Sequence, residues 1–156
     1  MEIENYQFWK LIHLVGVIIF LGNITVTAVW KILANATGEP KIIAYSQRLV
    51  TITDFIFTLV GVFLILGTGT VMAAKFGGVT ATYWLASGYW IFLATAFVWV
   101  IVLIPVQVLQ AKMARSFQNG GSIPQRYWML SRIWLFAGAL ATILPFSVLY
   151  FMVVKP

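Results

Sequence analysis

Long apolar stretches alternate with short polar connections along the whole chain. Each stretch exceeds the roughly 20 residues that a helix needs to cross the hydrocarbon core of a bilayer. The pattern predicts four membrane-spanning helices with short loops, in one all-α transmembrane domain that comprises residues 1–156. The predicted spans are residues 8–29, 50–74, 84–109 and 133–154.

The composition indicates an integral membrane four-helix bundle. Hydrophobic residues make up 62% of the chain and charged residues only 9%, whereas roughly a quarter of the residues in a soluble domain are charged. The chain has no cysteine, which excludes disulfides and thiolate metal sites. The first stretch is full length and follows an acidic start, so we expect a membrane span there and not a cleaved signal peptide.

The basic residues predict the orientation in the membrane. The first and third connections, with the helix ends beside them, hold seven cations against three on the opposite side. Because Lys and Arg mark the cytoplasmic side, we expect an N-out/C-out protein of a bacterial inner membrane. The net charge of +6 then reflects topology and contact with anionic membrane lipids, and no nucleic-acid partner is expected. The seven cations are Lys31, Lys41, Arg48, Lys112, Arg115, Arg126 and Arg132.

Small and polar residues at helical spacing predict which faces of the spans turn inward. The stripe on the first span contains His13, Gly16, Asn23 and Thr27, and a similar stripe on the second span begins at Asp54. Membrane helices use such residues for close approach and for interhelical hydrogen bonds. We therefore expect these stripes to meet in the bundle interior, where packing alone is an alternative role for the small residues.

His13, the only histidine, is predicted to lie far from Asp54. At the rise of a helix, His13 lies about 8 Å inside the outer end of its span and Asp54 about 6 Å inside the cytoplasmic end. Across a hydrocarbon core of about 30 Å, roughly 16 Å separates them, which argues against a catalytic His–Asp pair. Met72, Met152, Trp84 and Ser87 share the depth of His13, and Arg132, Trp30, Gln107 and Trp134 share that of Asp54.

An imidazole that faces the bundle interior is a candidate axial ligand of haem b. Gly16, one turn from His13, would leave room for the macrocycle, and Met72 or Met152 would supply a second ligand. The function would then be electron transfer or another redox role. A homodimer would also allow ligation by two histidines. The alternative is a packing histidine, bonded to Ser87 or to a carbonyl of a neighbouring helix.

Asp54 is the other ionisable group predicted inside the bundle. As a helix-end carboxylate it would pair with Arg132 or Lys31 at the inner surface. Alternatively it handles protons or cations, in a small transport or permeability protein whose path includes the polar residues of the first-span stripe. A third interpretation is a membrane assembly subunit with no chemistry of its own.

Motifs spread over nearly the whole chain carry a family resemblance. They are residues 8–16, Gly22, Trp30-Lys31, Asp54, Gly67-Thr68-Gly69, Pro105, Trp134, Gly138, Pro145 and residues 152–156. In this combination the chain resembles the domain-of-unknown-function 2269 family of bacterial four-helix membrane proteins. The resemblance implies the fold but no established reaction.

A more distant similarity is to the HemJ-type protoporphyrinogen oxidases and, in the first span, to the CopD-type copper-resistance membrane domains. It rests on the first-span histidine, the four-helix length and the ending 153–156. The similarity implies that His13 is a haem ligand and that Pro145 is the proline of the fourth helix. Because Thr142-Ile143-Leu144 stand where the HemJ pattern has an Asn-Glu pair, it implies cofactor binding rather than porphyrinogen oxidation.

Overall fold

The protein consists of four long helices joined by short connections, in a computed structural model that describes residues 3–156. The helices are α1 (Ile3–Thr37), α2 (Pro40–Phe76), α3 (Tyr83–Phe117) and α4 (Gln125–Val154). Each is long and apolar enough to cross a membrane. The predicted all-α membrane class is therefore confirmed, and each predicted span lies within one helix that continues past it.

The helices form an up-and-down bundle, as short connections between long helices require. α1 packs mainly on α2 and α3 mainly on α4, whereas α1 and α4 touch the least among the neighbouring pairs. The bundle therefore has a seam between its first and last helices. The connections are residues 38–39, 77–82 and 118–124. The chain reverses direction sharply in the first and in the third connection, where Gly38 and Gly120 adopt positive φ.

The connections 38–39 and 118–124 lie at the same end of the bundle, which we call the basic end. Six exposed cations surround it: Lys41, Arg48, Lys112, Arg115, Arg126 and Arg132. Lys31, which the sequence places with them, is instead only 1% exposed. Lys31 was predicted to lie with the connections, and it is instead an interior residue.

α1 and α2 approach each other most closely at two glycines. A Cβ on Gly16 would lie 2.7 Å from Leu64 Cβ, and one on Gly61 would lie 2.8 Å from Phe20 Cβ. These positions accept only a hydrogen, so the two backbones meet there without an intervening side chain. Such contacts are typical of membrane helices, because packing rather than a hydrophobic driving force holds them together.

The two middle helices each contain one widened π-helical turn. These turns are Asp54–Thr58 in α2 and Trp99–Leu103 in α3. In α4, the buried Pro145 lacks a backbone N–H, so the carbonyl of Ala141 has no helical donor. π-turns are rare and are frequently found at functional sites.

The buried core lies towards the basic end of the bundle. It comprises two clusters of apolar side chains: Val50, Trp99, Leu103, Val106, Leu130, Trp134 and Ala141 in one, and Ile43, Ala44, Ala114, Phe117 and Tyr127 in the other. Buried polar side chains lie among them. The polar interior is therefore embedded in apolar packing.

Candidate functional site

Asp54 is buried between three helices and its carboxylate is hydrogen-bonded from each of them. Asn23 on α1 donates from Nδ2 to Oδ1 at 2.8 Å, and Gln107 on α3 donates from Nε2 to Oδ2. Thr58, at the far end of the π-turn that Asp54 begins, donates to Oδ1 at 3.3 Å. Asp54 is 7% exposed. The carboxyl group is thus held in the apolar bundle by amide and hydroxyl donors.

Lys31 is the buried cation of the bundle, and two glutamine side chains hold it. Its Nζ donates to Gln47 Oε1 on α2 and, at 3.0 Å, to Gln110 Oε1 on α3. Gln110 in turn donates from Nε2 to Ser131 Oγ on α4 at 2.8 Å. Nζ also lies 4.8 Å from the ring centroid of Trp134, within the range of a cation–π contact.

These hydrogen bonds form two separate clusters, one around Asp54 and one around Lys31, and each of the four helices contributes to at least one of them. We call the two clusters together the network of Asp54 and Lys31. Gln107 and Gln110 lie three residues apart on α3, on the same face, so one bonds Asp54 and the other bonds Lys31. When Asp54 and Lys31 are both charged, they attract each other and the interior carries no net charge.

One atom of this network has no hydrogen-bond partner. Gln107 Oε1 is fully buried and unpaired while its Nε2 bonds Asp54. Rotation of the amide by half a turn would let Oε1 accept a bond from a protonated Asp54. Gln107 is therefore able to bond both protonation states of the carboxyl group.

A cavity of about 330 Å³ adjoins Asp54, and we call it the lateral cavity. Its polar lining consists of Asp54, Thr27, Thr58, Thr95, Trp99, Trp134 and Thr142. Ile32 on α1 and Leu135 and Ile143 on α4 also line it and are exposed on the outside of the bundle. The lateral cavity therefore opens through the seam between α1 and α4, on the surface that lipid covers.

A second cavity, of about 390 Å³, is lined by Lys31. We call it the end cavity, because its lining includes the exposed Arg132 and Gln125 at the basic end. Ile32, Trp134 and Leu135 line both cavities. Asp54 thus lines the lateral cavity, and Lys31 lines the adjoining cavity nearer the basic end.

The structure separates His13 from this network. His13 Nδ1 lies 3.0 Å from Thr68 Oγ1 on α2. The Thr68 hydroxyl donates its own proton to the Leu64 carbonyl, so Nδ1 donates and Nε2 remains free in the neutral ring. The predicted partner Ser87 is wrong because it lies on α3, whereas α1 packs on α2.

The residues around His13 do not fit a haem inside the bundle. Leu64 and Ile65 fill the space beside Gly16 that the macrocycle would need. Met152, a predicted second ligand, packs its methyl group against Gly88 on α3. Neither of the two cavities includes His13 or the other predicted ligand, Met72. Nε2 is free to bind a ligand, but the helix contact occupies the interior side.

The predicted polar interior is only partly the one observed. Asn23 and Asp54 are bonded to each other, and Thr27 lines the lateral cavity beside them. Arg132, predicted to lie inside, is exposed, and Lys31 takes the place of the interior cation.

The sequence interpretation did not identify Gln47 and Gln110 as site residues. The sequence feature that could have identified them is a neutral polar side chain on the same face as apolar residues in a long apolar helix. Both are fully buried, like Gln107, which the predicted depth placed at the level of Asp54.

Comparison with known proteins identifies the family. Searches of curated proteins and of solved structures give no match, so the resemblance to HemJ-type and CopD-type proteins stays a prediction. The model of the family described as predicted integral membrane protein (DUF2269) matches residues 7–156. The match comprises all four helices with the Asp54 and Lys31 network, and the chain belongs to this family.

Proposed function

We propose that the protein moves protons across the membrane through the network of Asp54 and Lys31. The observation that carries the proposal is a buried carboxylate and a buried ammonium held by amide side chains from neighbouring helices. An ionisable residue in a membrane helix is expensive and marks a functional site by default. A structural polar core alone needs only neutral hydrogen-bonding side chains.

The order of groups supports one part of such a path, from the basic end to the lateral cavity. Lys31 lines the end cavity and donates to Gln110, and Gln107, on the same face of α3, bonds Asp54 at the lateral cavity. A proton that enters from the end cavity meets Lys31 first and Asp54 second. Rotation of the Gln107 amide gives the protonated carboxyl group a hydrogen-bond partner.

Proton flux into proteoliposomes tests the proposal. The purified protein is reconstituted with a pH-sensitive dye inside, and a pH gradient is imposed with valinomycin and potassium present. We expect acidification faster than in empty liposomes and a loss of that excess in Asp54→Asn, which keeps the shape and removes the charge. Glu39→Gln is the matched control, because Glu39 is an exposed carboxylate in the first connection.

The outcomes separate transport from an assembly role. A flux equal to that of empty liposomes, or one that Asp54→Asn and Glu39→Gln leave equally intact, would refute the proposal. In either case the buried pair would serve only to hold the helices, and the protein would be a membrane assembly subunit.

We further propose that the protein lies N-out and C-out in a bacterial inner membrane, in contact with its lipids. The six exposed cations at the basic end support this orientation. Because the chain has no cysteine, single cysteines report it directly. An impermeant maleimide added to spheroplasts should label Thr80→Cys and spare Ser122→Cys until the membrane is opened; the reverse pattern would invert the orientation.

A further inference from the structure

The threonine hydroxyls of the lateral cavity have no proton to offer a ligand. Thr27, Thr95 and Thr142 each donate to a carbonyl of their own helix, at 2.7, 3.0 and 2.8 Å. Each hydroxyl oxygen therefore presents only lone pairs to the cavity. The lining also includes Trp99 and Trp134, whose indole N–H groups are buried and have no hydrogen-bond partner among the described residues.

The carboxylate at the inner end of the cavity is also an acceptor with spare capacity. Asp54 Oδ1 accepts from Asn23 and Thr58, whereas Oδ2 accepts only from Gln107. Each carboxylate oxygen has two lone pairs, so Oδ2 can accept one more donor. The three threonine hydroxyls and the carboxyl group of Asp54 thus all have lone pairs that can accept a hydrogen bond from a ligand.

The rest of the lining is apolar, and so is the entrance. Phe20 and Phe92, buried and 5.6 Å apart between ring centroids, line the cavity beside Val62. Ile143, 65% exposed, stands at the opening in the seam between α1 and α4. A volume of about 330 Å³ lies at the lower end of the roughly 300–1,000 Å³ found for small-molecule sites.

We propose that the lateral cavity binds a small lipophilic amine in its ammonium form, which enters from the bilayer. The ammonium donates to Asp54 Oδ2 and to the threonine oxygens, and the apolar body lies against the phenylalanine rings. A bound ammonium competes with Lys31 for the charge of Asp54, so binding favours release of a proton from Lys31 into the end cavity. This names an amine as the substrate exchanged for the proton and rests on the function proposed above.

Binding is measured calorimetrically with the protein in phosphatidylcholine nanodiscs, with empty nanodiscs subtracted. The probe is 2-phenylethylamine, whose ammonium has a charge and N–H donors. Two analogues of similar shape are compared with it: trimethyl(2-phenylethyl)ammonium, which has the charge but no donor, and 2-phenylethanol, which is neutral. We expect each analogue to bind about tenfold more weakly or worse, because charge-assisted hydrogen bonds are the strong ones.

Three variants locate the site. Asp54→Asn should weaken binding of 2-phenylethylamine by about tenfold or more. Ile143→Trp should block the entrance without burdening the fold, because the side chain faces outward. Phe136→Trp is the matched control, since Phe136 is 77% exposed on the same helix and does not line the cavity. It should leave binding unchanged.

The proposal is overturned if 2-phenylethanol binds as tightly as the amine, or if Ile143→Trp binds like Phe136→Trp. Repeating the titration in buffers of different ionisation enthalpy measures the proton released, and its absence would contradict the competition with Lys31. Failure of amine binding with intact proton flux would leave the function proposed above standing. Binding without flux would instead refute that function and leave a ligand site.

Discussion

Gly16→Ala tests whether this glycine serves the contact between α1 and α2 or makes room for a cofactor. The added methyl group would lie 2.7 Å from Leu64 Cβ, 3.3 Å from the backbone N of Ile65 and 3.4 Å from the carbonyl oxygen of Gly61. All three atoms belong to the backbone or are fixed to it. No side chain can rotate away, so the helices themselves must move apart.

The magnitude follows from two opposing effects. Overpacking a close contact costs about 1–3 kcal/mol, and fixed neighbours place this case in the upper half of that range. Replacing Gly by Ala within a helix recovers about 1 kcal/mol of propensity. We therefore expect the free energy of unfolding of Gly16→Ala to fall by about 1–2 kcal/mol.

The assay is reversible unfolding in mixed micelles, followed by circular dichroism as the fraction of denaturing detergent rises. Gly22→Ala is the control on the same helix, because a Cβ there meets nothing within 4 Å. It should leave stability unchanged or raise it. If Gly16→Ala proves as stable as Gly22→Ala, the argument from helix contact is refuted and Gly16 is free to border a cofactor.

The remaining predictions concern Lys31 and His13. Lys31→Met leaves the buried amide oxygens of Gln47 and Gln110 without their donor and should lower the free energy of unfolding by about 1–3 kcal/mol. Lys41→Met, which removes an exposed cation, should not, and equal effects would contradict the assignment of Lys31 to the interior. A double-mutant cycle of His13→Ala and Thr68→Val should give a coupling of about 0.5–1 kcal/mol, and additive effects would mean that the Nδ1 contact contributes nothing. Absorption spectra after haem supplementation should show no Soret band from haem inside one chain, because Leu64 and Ile65 fill the space beside Gly16. A Soret band that His13→Ala abolishes would instead place haem at Nε2 of His13. The haem would then lie outside the bundle or between two chains of a homodimer.

Part of the site could be predicted from the sequence alone. The helical spacing of Asn23 and Thr27 predicted that both lie on an inward face. The positions of His13 and Asp54 along their spans predicted that the two residues lie far apart. Each of these inferences uses one helix and its length. Which cation lies inside the bundle could not be obtained in this way, because Arg132 and Lys31 are equally plausible by depth and differ only in the direction of their side chains.

The same limit, that one helix does not reveal its neighbours, applies to the prediction that Gly16 makes room for haem. Because Gly16 has no side chain, it leaves space on the helix surface near His13. A cofactor or another helix could fill that space equally well. In the structure Leu64 fills that space. Which neighbour fills it depends on the order of the helices around the bundle, and helical periodicity within one span carries no information about that order.

The chain contains four apolar stretches that are longer than the core of a bilayer and carry almost no charge. Because unpaired backbone groups are not tolerated in lipid, such stretches must form spanning helices. The sequence by itself therefore determined the class, the number of helices and the short loops. Only the tertiary structure decided that Lys31 turns inward to Gln47 and Gln110, that π-turns bring Asp54 and Trp99 to one cavity, and that this cavity opens between α1 and α4. These features depend on how far each helix is rotated about its axis, and the packing of one helix against another sets that rotation.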